Sequence, residues 1–336
     1  MRRRRCLRGL RQQGVAVVTA LLLTTLAVTI VGSLFWQQQV QVRSIENQRL
    51  QLQKQWILRG ALDWARLILR EDARLAGAVD TLDEPWSVPL AQTRLDQYVE
   101  DAQADSDAAE ATLSGAIVDA QARYNLRNLV YQGAINESEL AVFEKLLGLL
   151  NIDPGLALAT AVLLQDSEAP PGMPSGRGLR IGGQSGGQSG GQGGGQAPAT
   201  PELIGMVYVD DLLAVPGFTP EALEKLREHV IFLPRTTSIN INTASAEVLA
   251  ARIDTLSLAE AQAVVKTRAS AYFRNVADLR LLLQDKGGAV HDADLAVATR
   301  YFLINGQVSM RRAGLEVQAL VERDGLKTRL VWIREY

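Results

Sequence analysis

The 336-residue sequence contains one cysteine and two histidines, and each scarcity argues against a class of site. Cys6 lies among the first residues, so the rest of the chain can form neither disulfides nor thiolate metal sites. His229 and His291 are far apart and lack the His/Glu spacing of a zinc enzyme. The sequence also lacks a phosphate-binding glycine loop and a nucleophile elbow. These absences predict that the protein is not an enzyme.

Positive charge is also scarce outside the amino terminus. Six of the 35 basic residues are arginines within residues 1–14, a segment that contains no acid. The remainder of the chain therefore has 29 basic residues against 37 acidic ones. An acidic body of this kind is not typical of proteins that bind nucleic acid or anionic membrane surfaces.

A long uncharged segment follows the arginines. Val15 to Trp36 provides 22 residues without a charge, long enough for a helix that crosses a hydrocarbon core about 30 Å thick. The preceding arginines predict a cytoplasmic amino terminus and a periplasmic body. The alternative is a cleaved secretory signal, whose apolar region would span only about 7–15 residues and end at a small-residue cleavage site. The length of the run favours a membrane anchor.

Gly14 lies at the border between the arginines and the apolar segment. The pattern "RQQGVAVVTALL" resembles the prepilin peptidase site of type IV pilin-like precursors. That resemblance implies cleavage after Gly14 and a mature, N-methylated chain that begins at Val15. Most pilin-like subunits carry glutamate at the fifth mature position, where this chain has Thr19. A carboxylate inside a bilayer requires a partner, such as the terminal amine of a neighbouring subunit, so its absence indicates a position at the end of a filament.

The apolar helix is predicted to continue to about residue 75 as an amphipathic stalk. No proline interrupts it, and an apolar stripe is formed by Ile57, Ala61, Trp64, Ala65 and Ile68. The next segment, "VDTLDEPWSVP", predicts an ordered loop. We expect its acids, Asp80, Asp83 and Glu84, to be solvated rather than bound to a cation.

Helix and strand signals divide the rest of the chain. Residues 137–149 and 155–165 predict helices, and three further helices are indicated by the caps Thr219-Pro220, Ser257 with Glu260, and Asn275 with Asp278. Thr243 is expected to cap another helix. From Tyr301 onward, apolar and polar residues alternate and Asp324-Gly325 marks a turn, which predicts a three-stranded antiparallel meander.

One segment resembles a module that many proteins use on DNA. "NINTASAEVLA" followed by "VVKTRASAYFRNVADLR" resembles a helix-hairpin-helix motif. Its hairpin, "IDTLSLAE", has no glycine that would bring backbone amides close to phosphate, and the body is acidic. The sequence therefore predicts a protein contact here rather than DNA binding.

Six segments in a fixed order resemble the K-type minor pseudopilin family of bacterial type II secretion. They are "QQGVAVVTALL" at 12–22, "ARLILREDAR" at 65–74, "VDTLDEPW" at 79–86, "DAQARYNLRNLV" at 119–130, "NINTASAEVLAA" at 240–251 and "TRYFLINGQVSM" at 299–310. The resemblance implies an α+β, pilin-like fold, in which a long N-terminal transmembrane and stalk helix lies on an antiparallel sheet. A large, mostly α-helical domain with helix-hairpin-helix-like elements interrupts this fold.

The resemblance also implies domain boundaries. These are a leader at 1–14, a transmembrane helix at 15–36, the first part of the pilin-like domain at 37–124, the inserted helical domain at 125–300, and the terminal meander at 301–336. Within the insertion, residues 170–201 are rich in glycine, glutamine and serine and are expected to form a flexible loop.

The implied function is a non-enzymatic subunit that caps the tip of the type II pseudopilus. It would help to initiate assembly of this fibre, which exports folded periplasmic proteins across the outer membrane. The implied partners are the I-type and J-type minor pseudopilins, the major pseudopilin, the prepilin peptidase and the inner-membrane assembly platform, with no nucleic acid. The alternatives are a minor pilin of a type IV pilus or a membrane-anchored DNA-uptake receptor.

Some relatives in this family bind calcium through an acidic loop, which would follow the helix ending near Gln165. This chain has only Asp166 and Glu168 there before the glycine-rich insertion. Calcium sites use six or more oxygens, so these two residues are weak candidates and no cofactor is expected.

Overall fold

The computed structural model describes residues 13–75, 77–94, 111–168, 205–310 and 313–336. The first twelve residues of the predicted leader and the whole predicted loop at 170–201 lie outside the described residues. Contacts divide the chain into two units, Met1–Gly60 and Ala61–Tyr336. The predicted domain boundaries inside the second unit remain predictions.

Seven α-helices occur in the described residues, and the first is by far the longest. They are α1 (Gln13–Leu75), α2 (Glu137–Leu149), α3 (Leu156–Glu168), α4 (Pro220–Leu226), α5 (Ala246–Arg252), α6 (Leu258–Arg268) and α7 (Val276–Leu283). Within α1, Ala16–Ile45 is long and apolar enough to cross a membrane, and its most apolar window is entirely exposed. This agrees with the predicted anchor and extends it beyond Trp36.

The strands include five long ones and three pairs of two-residue strands. They are β1 (Leu90–Arg94), β2 (Thr112–Asp119), β3 (Tyr124–Asn125), β4 (Val130–Tyr131), β5 (Ala134–Ile135), β6 (Val230–Ile231), β7 (Ile239–Asn240), β8 (Leu295–Ala296), β9 (Tyr301–Met310), β10 (Ala313–Asp324) and β11 (Lys327–Glu335). The long strands form one antiparallel sheet in the order β1-β2-β9-β10-β11.

The predicted terminal meander is confirmed as β9, β10 and β11. The β10–β11 hairpin turns at Gly325, whose φ of 56° is in the left-handed region that glycine adopts without strain. The strand β2 pairs with β9 along its whole length, from Thr112 opposite Ser309 to Asp119 opposite Phe302. Two strands separated in sequence by the helical insertion are thus neighbours, and the fold is the predicted mixture of α and antiparallel β structure.

The part of α1 in the second unit packs on the sheet through Leu62, Ala65 and Leu69. These side chains form a core with Trp86, Ile117, Phe302, Ile304, Ala319 and Val321. Their spacing of three and four residues defines a stripe that differs from the predicted one. Ala65 and the partly buried Ile68 pack against this core as predicted, whereas Trp64 is exposed, so the predicted stripe was wrong at Trp64.

The helices of the insertion enclose the largest core. Phe143, Leu146 and Leu147 of α2 are fully buried in it, together with Leu249 of α5. The predicted caps of α4, α6 and α7 are confirmed, including the reciprocal capping box of Ser257 and Glu260. Thr243 was wrongly expected to cap α5: Ser245 does so, accepting a hydrogen bond from the Val248 amide.

The close approach of β2 to β9 requires a glycine at position 115. A Cβ atom there would lie 2.7 Å from the carbonyl oxygen of Asn305, which is closer than any tolerable contact. We expect Gly115→Ala to lower the free energy of unfolding by about 1–3 kcal/mol, because the two strands would have to separate locally. Denaturant unfolding of the detergent-solubilised chain measures this.

The matched control is Gly314→Ala in β10 of the same sheet. Among the described residues, nothing lies within 4 Å of a Cβ atom at that position. Its unfolding should match that of the native chain, and equal destabilisation by the two substitutions would contradict the assignment of strain to the β2–β9 contact.

Candidate functional site

Arg323 is the centre of a buried network at the end of β10. Its guanidinium group donates one hydrogen bond to Asp72 Oδ2 at 2.8 Å and another, shorter one to Asp80 Oδ1. The guanidinium carbon also lies 4.6 Å from the ring centre of Phe302, and only 8% of Arg323 is exposed. A charge this deeply buried is stable only when paired, so Arg323 fixes the relative positions of α1, the loop after it and the sheet.

Asp80 extends this network to the helical insertion. Its second carboxylate oxygen, Oδ2, accepts a hydrogen bond of 2.7 Å from the Thr299 amide. Its own backbone amide donates to the carbonyl oxygen of Val297 at 2.8 Å, and its carbonyl accepts from the side-chain amide of Asn240 at 3.2 Å. One loop residue therefore connects to the segment between β8 and β9 and to the end of β7.

Asp119, at the end of β2, is a second buried carboxylate with several donors. It accepts hydrogen bonds from the Gln121 amide at 2.7 Å, the Asn240 side chain at 2.9 Å and the Thr243 hydroxyl at 2.6 Å. Burial raises its pKa above the usual range, although these hydrogen bonds oppose the change. Thr243 therefore holds the insertion against the sheet instead of capping a helix.

Three asparagine side chains form hydrogen bonds with the backbone of distant segments, in the way that the backbone of a neighbouring strand would. The side chain of Asn242 both accepts from the Phe273 amide and donates to the Phe273 carbonyl, each at 2.9 Å. Asn128 does the same with Thr237, at 3.1 and 2.9 Å. Asn125 accepts from the Leu233 amide at 3.1 Å. These contacts fix the long connections of the insertion without regular secondary structure.

We call the central group the junction network, formed by Asp72, Asp80, Asp119, Asn240, Thr243, Thr299 and Arg323. All these residues are at most 8% exposed. Five of the six segments that carried the family resemblance contribute to this network or to the asparagine contacts beside it, the exception being the membrane segment. The bonds described above join these residues to one another and to the backbone, which is an arrangement suited to holding elements in place.

Glu84 brings a third carboxylate to Asp72 and Asp80. One ligand oxygen from each of the three residues lies within 4.8 Å of the others. Burial raises the pKa of Glu84 to about 7, a change that the hydrogen bond from the Trp86 indole at 2.5 Å opposes and the negative charges of Asp72 and Asp80 increase. The expectation of solvated acids in this loop is correct for exposed Asp83 and wrong for Asp80, which is buried because it pairs with Arg323.

The predicted residues of the anchor lie in the first turns of α1. The backbone of Gly14 and Val15 is helical, and the structure does not test cleavage between them. Thr19 is exposed, and its hydroxyl donates to the carbonyl oxygen of Ala16 at 3.0 Å. The hydroxyl is thus satisfied within its own helix, as expected of a polar group in an apolar segment.

The two weak calcium candidates lie at the end of α3. Asp166 is partly buried, while the side chain of Glu168 lies outside the described atoms. Among the described residues, the one group of three carboxylates close enough to share an ion contains Asp72, Asp80 and Glu84, and Asp166 is not part of it. The described residues therefore give no support to a calcium site at Asp166.

The hairpin between α5 and α6 faces a lysine of α2. Lys145 Nζ donates to the backbone carbonyl oxygens of Ile253, Asp254 and Leu256, at 3.2, 2.7 and 3.4 Å. A hairpin that bound DNA would instead direct its backbone amides toward phosphate. These three carbonyl oxygens are thus bonded within the chain, and the predicted protein contact in place of DNA binding remains a prediction.

The central residues of this site could not be identified from sequence patterns. Arg323 lies in a strand of alternating apolar and polar residues, and this pattern predicts only on which face of the sheet its side chain lies. Its partners, Asp72 and Asp80, are more than 240 positions away in the sequence. Asp72 is one of several charged residues near the end of a long helix. Asp119 and Asn240 lie in segments quoted for the resemblance, which marked these stretches without indicating that they meet.

Comparison with known proteins identifies the class to which this fold belongs. Two family models, both described as type II secretion system (T2SS), protein K, match residues 122–235 and 239–298, together about half of the chain. The type II secretion system protein K of Pseudomonas aeruginosa is 27% identical over 89% of this chain and 85% of the relative. That of Pectobacterium carotovorum is 24% identical over 96% and 95%.

A solved structure has the same fold. The crystal structure of the GspK–GspI–GspJ complex from the type 2 secretion system of enterotoxigenic Escherichia coli contains a chain that matches with a TM-score of 0.65. The alignment covers 88% of this chain and 99% of that chain, at 18% identity. The protein is a component of a bacterial type II secretion system, of mixed α+β fold with one N-terminal apolar helix. It belongs to the protein K family, the minor pseudopilin K of these systems.

The importance of the junction network can be measured by removing Arg323. Arg323→Met should lower the free energy of unfolding by about 3–5 kcal/mol, because Asp72 and Asp80 would remain buried without their counter-charge. Arg329→Met is the control: this residue pairs with Glu322 at 2.5 Å but is largely exposed, so its loss should leave the free energy of unfolding nearly unchanged. Similar losses for the two variants would show that the buried pairs do not hold the fold.

Proposed function

We propose that this protein is a non-enzymatic subunit that caps the tip of the type II pseudopilus and helps to initiate its assembly. The pseudopilus would then support export of folded periplasmic proteins across the outer membrane. The observation that carries this proposal is the combination of an exposed apolar helix, Ala16–Ile45, with a second unit whose buried charges serve to fix its own elements. This combination suits an anchored assembly subunit.

The anchor is proposed to be single-pass, with its amino terminus in the cytoplasm. The arginines of residues 1–14 favour retention of that end on the cytoplasmic side, which leaves the body in the periplasm. Cleavage by the prepilin peptidase after Gly14 would remove these charges and leave the whole apolar helix. The helix would first hold the subunit in the inner membrane, near the assembly platform, and later pack in the fibre with the major pseudopilin.

Thr19 supports a position at the end of the fibre. A glutamate at this position of a fibre subunit would need a cationic partner within the apolar environment, since a lone carboxylate there costs about 2.5–3.5 kcal/mol. The Thr19 hydroxyl is satisfied by the carbonyl oxygen of Ala16 and makes no such demand. A subunit without this pairing can occupy the fibre tip, where there is no further subunit above it.

The proposed partners at the tip are the I-type and J-type minor pseudopilins. The chain of similar fold was crystallised in a GspK–GspI–GspJ complex. The similarity covers 99% of that chain, and this shared fold supports the proposed partners. Nucleic acid is not among the proposed partners, in keeping with the acidic composition and the inward-facing hairpin carbonyls at Lys145.

Processing at Gly14 should be visible in the membrane-bound protein. We expect mass spectrometry to find an amino terminus at Val15 when the chain is produced with a prepilin peptidase, and Gly14→Glu to retain the leader. Gly32→Ala is the control, because a Cβ atom there has no neighbour within 4 Å among the described residues and position 32 is 18 residues beyond the cleavage site. An intact leader in the native chain, or an amino terminus beyond Trp36, would contradict the proposal.

The tip position predicts both the composition and the stoichiometry of the assembly. After co-expression and detergent extraction, this chain should co-purify with the I-type and J-type subunits, and native mass spectrometry should find one copy of it per complex. Thr19→Ala should behave identically, because the proposal requires only that position 19 lacks a carboxylate.

The same strains test the role in secretion. A strain without this gene should fail to export a type II substrate, and both the native chain and Thr19→Ala should restore export. Complexes with several copies of this chain, or export that does not depend on it, would contradict the tip role.

A further inference from the structure

The cluster of Asp72, Asp80 and Glu84 has more negative charge than its contacts neutralise. Asp72 and Asp80 share a single guanidinium group, that of Arg323. Glu84 receives a hydrogen bond from the neutral indole of Trp86 at 2.5 Å. When all three acids are ionised, the group carries a net charge of −2. Buried excess charge is costly and is normally neutralised by a cation or a proton.

A second observation is independent of the charge count. Asp72 is 6% exposed, and one of its carboxylate oxygens, Oδ1, is buried and has no hydrogen-bond partner among the described residues. Buried carboxylate oxygens are nearly always paired, so an unpaired one is a position at which an ion or a water molecule can bind. The other oxygen of Asp72 is occupied by Arg323, so Oδ1 is the atom of this residue that remains free to bind a ligand.

The three carboxylates are close enough together to bind one ion of the size of calcium. Calcium binds oxygen ligands at 2.3–2.6 Å, so two oxygens on the same ion are at most about 5 Å apart. One oxygen from each of the three acids lies within 4.8 Å of the others. Calcium also tolerates irregular geometry and can complete its six to eight ligands with water. Glu84 is partly exposed, so water can reach the cluster on its side.

We propose that Asp72, Asp80 and Glu84 form a binding site for a divalent cation of the calcium type. The ion would balance the remaining charge of −2 and occupy the unpaired oxygen of Asp72, while Arg323 keeps its own bonds to Asp72 and Asp80. Asp72 lies near the end of α1, and Asp80 and Glu84 lie in the loop between α1 and β1. The site shares no residue with the segment at Asp166 and Glu168.

The site has a built-in spectroscopic probe, because the indole of Trp86 contacts Glu84. A terbium ion at a calcium site emits when a nearby tryptophan is excited. We expect the full-length, detergent-solubilised chain, freed of metal with a chelator, to give sensitised terbium emission that calcium displaces. In Trp86→Phe most of this emission should disappear, while calcium binding measured by calorimetry persists.

The ligand variant is Glu84→Gln, which leaves both bonds of Arg323 in place. We expect calcium binding to weaken at least about tenfold, since even an indirect partner of a metal ligand is worth that much. Asp83→Asn, the exposed neighbour, and Asp166→Asn should bind as the native chain does. Near-ultraviolet circular dichroism checks the folding of each variant, and if Glu84→Gln is misfolded, the Trp86→Phe result decides.

Four outcomes would overturn the proposal. They are absence of sensitised emission from the native chain, full emission from Trp86→Phe, native affinity in a folded Glu84→Gln, and a loss of binding in Asp83→Asn or Asp166→Asn equal to that in Glu84→Gln.

Discussion

The need to neutralise one buried guanidinium constrains how the second unit is built. Arg323 can be buried under α1 only if Asp72 and Asp80 are also present, and Asp80 in turn must be held by Thr299 and Asn240. The helix, the loop after it, the sheet and the insertion therefore form a mutually dependent arrangement. Buried ion pairs often add little net stability, but removal of one partner is severely destabilising, and this makes alternative arrangements unfavourable.

The insertion is attached to the sheet by polar contacts and by an apolar cluster, in which its Ile231 and Leu233 pack with Tyr301, Leu303 and Leu320 of the sheet. Asp119, Asn240 and Thr243 connect the two parts by directional hydrogen bonds, whereas α2, α5 and their neighbours share a separate apolar core. Directional contacts specify one orientation more strongly than an apolar surface does. A subunit that presents a defined face to several partners at once requires such an orientation.

Local features of this fold were readable from the sequence, and non-local ones were not. Thr219, Ser257 and Asn275 cap helices as predicted, because each cap bonds to the backbone amide three positions further along the chain. The alternation of apolar and polar residues predicted β9 to β11, because this pattern depends only on which face of each strand is buried. Thr243 and Asp80 were misjudged for the opposite reason: their partners, Asp119 and Arg323, lie 124 and 243 positions away. Cleavage at Gly14 depends on another protein and remains a prediction.

The pairing of β2 with β9 has a consequence for the order of folding. The register joins Asp119 to Phe302, so the sheet has a very high contact order and β2 has no partner on that side until the end of the chain is available. The helical insertion, whose contacts are largely among its own residues, can fold earlier and bring the two ends of the sheet together. A chain stopped before Tyr301 would leave β2 with an open edge, a form prone to aggregation, so completion of the subunit waits for its last strands.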